Sequence, residues 1–290
     1  MKLLQIGLLS TVLFAGACSP SSGGSMHANT GQGELTLLAT DDPFAYAMVE
    51  DATIWIDEIR AHRDADSDSG FITLYDGPPM QVDLLHLRNG ITKQLATSEV
   101  PAGKYDQIRL IISAAHLSLI DGDEFSTDLG NMHLTSTGHS GLKLFISPPL
   151  QVVDGVARTV LLDFDLTKTF QAVPGNDPLN ANFFMLKPVI HVADLSTTGE
   201  VRGHVREDDG AGGLVGVADA TVYILPPGET DLTLASATTA SDVDGAYAVL
   251  GVDPGSHDVL ADLNGRQVRV NGVHVAEGSV TIVDLVLPPP

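Results

Sequence analysis

The sequence predicts an all-β protein: two β-sandwich domains in tandem, placed after a signal peptide and a flexible tether. Three observations carry that expectation. From Glu34 onward apolar residues recur with a period of two, as at Ala220, Val222 and Ile224, the period of a strand with one buried face. Short apolar runs are separated by Gly, Pro and Asp turns, as in GFITLYDGPPMQVDLLHL, the pattern of sandwiches and barrels. No segment carries the apolar stripe of a long amphipathic helix.

The chain opens MKLLQIGLLSTVLFAGACSP. Lys2 supplies a positive start, residues 3–14 an apolar run, and Ala15, Gly16 and Ala17 a small-residue stretch before Cys18. That is the layout of a secretory signal, and the run falls short of the roughly 20 residues of a membrane-spanning helix. On the residues alone Cys18 is either incidental to cleavage near Ala17 or an attachment point. The stretch resembles a bacterial lipobox, with Ala15 where leucine is usual. The resemblance implies a signal at 1–17 and an acylated Cys18 as first mature residue, with a lipid membrane as partner. Ser19 in place of aspartate implies passage to the outer membrane. Two acyl chains and an amide-linked third make a stable anchor where one is marginal. Residues 18–33 then read as that anchor and a Ser/Gly-rich tether, SPSSGGSMHANTGQG.

Residues 34–194 read as the first domain. Its strands are expected in ELTLLAT, ATIWIDEIRAH, GFITLYD, MQVDLLHL, GKYDQIRLIISAAHLSLI, TVLLDFDL and FFMLKPVIHVADL. In the second, Ile54 and Ile56 face one way and Thr53, Trp55 and Asp57 the other, while Ile59 breaks the phase and predicts a bulge. Pro188 predicts an edge or irregularity. The best place for a helical turn is LHLRNGITKQLA. A polar linker, ADLSTTGE at 193–200, precedes a second domain at 199–288. There VRGHVRE, ADATVYILPPG, GAYAVLGV, SHDVLADL, RQVRVNGVHV and SVTIVDLVL supply the strands.

Taken in order, LLATDDPF, VEDATIWIDEIRAHR, VDLLHL, LATSEVPAGKYDQIRLII, SGLKLF, LLDFDLTKTF and FMLKPVIHV resemble the DUF4382 family of bacterial and archaeal lipoprotein domains. That resemblance implies no biochemical activity. The stretch TTASDVDGAYAVLGVDPGSHDVLAD resembles the carboxypeptidase regulatory-like or CnaB-like sandwiches of transthyretin-like topology. Ser241 takes a threonine's place; Asp242, Asp244, Gly245 and Tyr247 match, as does the turn at Pro254 and Gly255, and His257 replaces a frequent tyrosine. The resemblance implies a spacer or adhesive module, with carbohydrate binding among its relatives. Some such domains crosslink a core lysine, but the last lysine here is Lys187, ahead of the second domain.

Lys plus Arg number 15 and Asp plus Glu 37, a net charge of −22. This excludes the positive surface that nucleic acid requires and electrostatic docking on anionic lipid. It suits a solvated exported protein and leaves calcium as the one cofactor to consider. A single cysteine allows no internal disulfide. In DADSDSG, Asp64, Asp66 and Asp68 alternate as calcium-loop ligands do, although Ser69 and Tyr75 stand where an EF-hand wants glycine and an acid. Asp242 and Asp244 form a second candidate, joined by Asp208 or Asp209. Asp163 and Asp165 share a strand face about 6.6 Å apart, a spacing open to paired-carboxylate hydrolysis, but with no sign of a cleft they read first as a structural turn or cation contact before LTKTF. His139 and Ser140 do not fit a nucleophile elbow.

These readings predict a noncatalytic envelope lipoprotein, not an enzyme, with a structural, adhesive or ligand-binding role and a glycan or envelope protein as partner. The alternative is a carbohydrate- or calcium-binding module; a cell-wall polymer hydrolase ranks third. A carbohydrate module needs exposed aromatics on a concave face; those near the first candidate loops are Phe44, Tyr46 and Trp55, and Trp55 reads either as one of these or as a core or domain-seam residue.

Overall fold

The computed structural model describes residues 31–42, 48–64, 70–135, 141–175 and 177–289. Cys18 and the signal lie outside the described residues, as do Phe44, Tyr46, Asp66, Asp68, His139 and Ser140.

The chain is nearly all strand. In order these are β1 (Gln32–Asp42), β2 (Val49–Arg63), β3 (Phe71–Asp83), β4 (Lys93–Pro101), β5 (Gly103–Leu119), β6 (Glu124–Ser126), β7 (Met132–Leu134), β8 (Leu142–Val152), β9 (Ala157–Asp165), β10 (Phe170–Val173), β11 (Phe183–Leu186) and β12 (Ile190–Asp194). One four-stranded sheet runs β12-β9-β1-β4, with β1 and β9 parallel. The facing sheet runs β3-β2-β5-β6, with β8 also on β5. A small third sheet joins β10, β11 and β7. Leu35, Leu37 and Leu162 from the first sheet meet Ile54, Ile56, Ile108 and Leu110 from the second in one core. The helical turn expected near residue 90 is a 3-10 turn at Leu85–Leu87, and Lys93–Pro101 is strand.

The segment TVLLDFDL holds its apolar residues on both faces of β9. Val160, Leu162 and Phe164 enter the first core, while Leu161, 1% exposed, points the other way. A Cβ on Gly251 would come within 3.2 Å of Leu161. A strand covered on both sides reads as a continuous apolar run, and here the second cover is the C-terminal domain.

That domain contains β13 (Gly199–Asp208), β14 (Leu214–Gly216), β15 (Thr221–Leu225), β16 (Ala237–Ala240), β17 (Ala246–Val252), β18 (Gly255–Leu263), β19 (Arg266–Val275), β20 (Val280–Ile282) and β21 (Leu285–Val286). Around β13 lie β14 and β17, antiparallel, and β20 and β21, parallel. The other sheet runs β16-β15-β18-β19. Their inner faces share a second core, with Val201, Val222, Ile224, Val249, Val259 and Leu285 among its members. Tyr247 sits in it and donates its hydroxyl to the Val283 carbonyl at 2.6 Å. Burial, and then the charge of Asp284, push its phenol well above the ordinary range. Beside it Gly203 is obligatory, since a Cβ there would lie 1.9 Å from the same carbonyl oxygen.

Only residues 195–198 separate β12 from β13, a shorter link than the sequence suggests. Asp194 ties it down, its carboxylate accepting from the Ser196 amide at 2.9 Å and hydroxyl at 2.7 Å. Across the seam, Asn89 acts as a fragment of strand. It adopts φ 60, a left-handed geometry that asparagine tolerates. Its Oδ1 accepts from the Ala248 amide at 2.7 Å and its Nδ2 donates to the Ala246 carbonyl at 3.2 Å. Its own amide donates to Thr239 Oγ1 at 3.1 Å. The outer edge of β17 is thereby satisfied by the first domain.

Asn89→Ala removes two of these bonds at about 1 kcal/mol net each. Amide exchange at Ala248 should rise about tenfold or more, with β2 unaffected; unchanged exchange at Ala248 refutes the seam.

Asp258, 2% exposed, secures the second domain's sheet edge. It accepts from the Gly228 and Gly272 amides, each at 2.9 Å, and from Arg269 at 3.2 Å. The Gly228 amide bond is the largest cause of a carboxyl held below its usual range; burial opposes it, and Gly272 and Arg269 reinforce it. A depressed native pKa gives stability present above the unfolded value and lost as pH falls through the native one. Asp258→Asn should cost about 1–3 kcal/mol at neutral pH. Its deficit should narrow below about pH 4 in urea melts; a deficit independent of pH refutes the linkage.

Candidate functional site

The outer face of the β3-β2-β5-β6 sheet carries a concavity. Alternation along β2 sends Ile54 and Ile56 into the core and leaves Trp55 and Asp57 half-buried on the other face, with Thr53 buried beside them. Trp55 lies opposite Ala114 of β5 and Gln81 of β3. The small alanine leaves space beside the indole. Bulges on both sides of Ile56 increase the local twist. The result is a cleft of about 410 Å³ whose walls include Trp55, Pro79, Ser113, His116, Thr127 and Asp128. That is the size of a small-molecule site.

The walls are held by polar contacts. Ser113 Oγ donates to Asp57. His116 Nδ1 lies 2.8 Å from Asp51 Oδ2, and Thr53 Oγ1 donates to the other oxygen of Asp51 at 3.0 Å. Ser126, paired with His116 across the ladder, begins the loop that forms the remaining wall. Asn131 fixes that loop, accepting from the Ser126 amide at 2.8 Å and donating to the Glu124 carbonyl at 2.9 Å. The Thr127 amide returns to the Ala115 carbonyl at 3.1 Å. An aromatic face, a rim of hydroxyls and fixed carboxylates suit binding. A triad places its serine on the imidazole; Ser113 instead donates to Asp57.

The two carboxylates of the DFD segment part company. Asp163 lines a crevice at the seam with Thr40, Asn89 and Thr239, of only about 10 Å³, room for about one water. Asp165 caps a short helical turn, α1 (Leu166–Thr169), accepting from the Lys168 amide at 3.0 Å and pairing with its ammonium at 2.7 Å. Asp64 is exposed and its amide donates to the Lys104 carbonyl at 2.8 Å.

In the second domain Asp242 Oδ1 accepts from the Asp244 and Ala246 amides at 3.0 and 2.8 Å. Asp244 lies exposed in that turn. Gly245 has φ 79, and a Cβ there would meet the Val205 carbonyl at 2.3 Å. Ser241 is buried, donates to the Val217 carbonyl at 2.6 Å and accepts from the Ala220 amide at 3.0 Å. Pro254 leads into β18, which starts at Gly255 with φ 144. Asp208 holds the Gly210 amide, and Asp209 those of Ala211 and Gly213, which lower its pKa. These acids serve turns. Among the described residues no three His, Cys, Asp or Glu side chains are placed to hold a metal ion.

Of the two readings of Trp55, the structure favours the binding aromatic over the core or seam residue. Trp55 is part of an outward wall, because β2 keeps its phase through that position. Ser113, His116, Thr127 and Asp128 carry no motif, and only the β2-β5-β6 pairing brings them beside it.

Fold and cleft define an all-β sandwich protein with an open, aromatic-walled recess. The chain belongs to the DUF4382 family, a domain of unknown function, whose pattern matches residues 32–188. Comparison with curated proteins finds no match. Among solved structures, one similar chain is a candidate carbohydrate-binding protein from Pseudomonas aeruginosa, at 14% identity and TM-score 0.24, over 32% of this chain and 91% of that one. Another is the minor pilin of Streptococcus agalactiae, at 11% identity and TM-score 0.24, over 90% and 98%. A candidate cell adhesion protein from Bacteroides fragilis has 12% identity and TM-score 0.22, over 88% and 92%. None of these likenesses transfers a site or an activity.

Trp55 is the chain's one tryptophan, so its emission reports this cleft alone. Acrylamide should quench it readily in the folded protein, and Trp55→Ala should change stability by less than about 1 kcal/mol. Emission shielded from quencher, or a loss of several kcal/mol, returns the residue to the core.

Proposed function

We propose that this protein is a noncatalytic, lipid-anchored component of the cell envelope that holds a saccharide in the Trp55 cleft. The observation that carries the reading is the cleft itself: one indole beside Ser113, Thr127 and Asp128, in a space of about 410 Å³. A sugar ring has apolar C–H faces and a hydroxylated rim. Indole gives rigid amphipathic contact at low entropic cost, and convergent polar groups fix orientation. The lipobox-like stretch ending at Cys18 supports the anchor, and the acidic surface suits an exported chain. No helix among the described residues is long and apolar enough to cross a membrane.

Cys18→Ser, expressed in a bacterial host with lipoprotein processing, should move the protein from the detergent phase to the aqueous phase. Identical partitioning of both forms removes the acyl anchor. On a glycan array the protein should retain a subset of saccharides, and Trp55→Ala should weaken that retention about thirtyfold, the effect of losing about 2 kcal/mol at a central aromatic. Saccharide binding unaffected by Trp55→Ala places the site elsewhere.

A further inference from the structure

The chemistry around the indole narrows the ligand. We infer that the Trp55 cleft selects sugars carrying a free, protonated amine over their neutral or N-acetylated counterparts; the inference rests on the saccharide reading above. Every fixed formal charge in or directly behind the cleft wall is a carboxylate. Asp128 lines it, Asp57 stands behind Ser113 and Asp51 behind His116. Asp83 lies beside Thr53 in the cross-strand register, on the same face, with its Oδ2 2.7 Å from His86 Nδ1. His116 stands on the wall itself, with Nδ1 2.8 Å from Asp51 Oδ2.

Of the cations nearby, Arg60 is neutralised by a carboxylate, Arg109 beside it stacks on the Phe71 ring, and Lys93 is held at a backbone carbonyl. Arg60, further along the outer face of β2, forks onto Glu58, with Nη2 2.6 Å from Oε2. Lys93 reaches from β4 to the Gln81 carbonyl at the strand edge, at 2.6 Å.

Two attractions then act on the same group. The face of an indole is negative and draws a ligand cation, and Asp128 offers a charge-assisted hydrogen bond to an ammonium. The hydroxyls of Ser113 and Thr127 remain for the ring's own hydroxyls, giving a site with a charge-reading end and a ring-reading wall. An acetylated amine loses its charge and both attractions while keeping the ring. The chain's net charge of −22 further raises the local concentration of cations.

The test uses full-length protein in detergent, with Trp55 emission and calorimetry as readouts. The probes are the tetramer of β-1,4-linked glucosamine, its fully N-acetylated form, cellotetraose and tetralysine. The glucosamine tetramer should bind at least about tenfold tighter than the acetylated form. The preference should shrink severalfold between about 0.05 and 0.5 M salt. Asp128→Asn, at an exposed position, should reduce that preference about fivefold or more; a preference unchanged in Asp128→Asn overturns the inference. Equal affinity for the three saccharides overturns the amine selectivity and leaves the saccharide reading intact. Loss of all saccharide binding overturns both. Tetralysine binding tighter than the glucosamine tetramer, and lost in Trp55→Ala, overturns the inference in favour of a basic peptide.

Discussion

The pairing of β2 with β5 governs this molecule. Seventeen residues of β5 run against β2, and their shared inner face supplies Ile54, Ile56, Ile59, Ile108, Leu110 and Ile112 to the first core. Because side chains alternate, each inner contact also commits an outer neighbour. A one-residue slip would bury Trp55 and Asp57 and expose the isoleucines. The core therefore sets the register, and the register places the indole on the opposite face beside Ala114. The bulges around Ile56 refine that placement without disturbing the buried set. Packing and cleft are two faces of one ladder.

The second domain shows a different economy. Its core is made largely of valine and alanine side chains, and its acids serve the backbone. Asp242 closes a turn, Asp209 gathers two loop amides, and Asp258 joins donors from two segments, Gly228 in a loop and Arg269 and Gly272 on β19. A carboxylate accepting several N–H groups favours its ionised form and satisfies amides that would otherwise be stranded. A chain so rich in acids needs such arrangements to stay compact. Of the aspartates that look like cation ligands in sequence, Asp242 closes its own turn.

The two-residue period and the Gly/Pro punctuation made the strands legible, as did the alternation through Ile54, Trp55 and Ile56. Less legible was what each face would meet. Trp55 has the composition of a core residue, and its exposure depends on Ala114, nearly sixty positions along the chain. Asp128 and Thr127 sit in an unremarkable polar turn whose importance comes only from the His116–Ser126 pairing. The run TVLLDFDL was apolar enough to signal cover on both sides, yet its two aspartates invited a catalytic reading. What gives them different surroundings, a second domain beside Asp163 and a helical turn after Asp165, is invisible in a local window. Asn89 belongs to the same class, since nothing in RNG announces a residue that completes a strand in another domain.

That completed strand bears on how copies of this protein relate to one another. Many β-sandwich assemblies grow when an open edge accepts a segment donated by a neighbour. Here the outer edge of β17 already holds the amide of Asn89, and the link between domains is only residues 195–198. An incoming segment would have to evict an intramolecular occupant that the short link keeps at high effective concentration. The arrangement guards this edge against polymerisation.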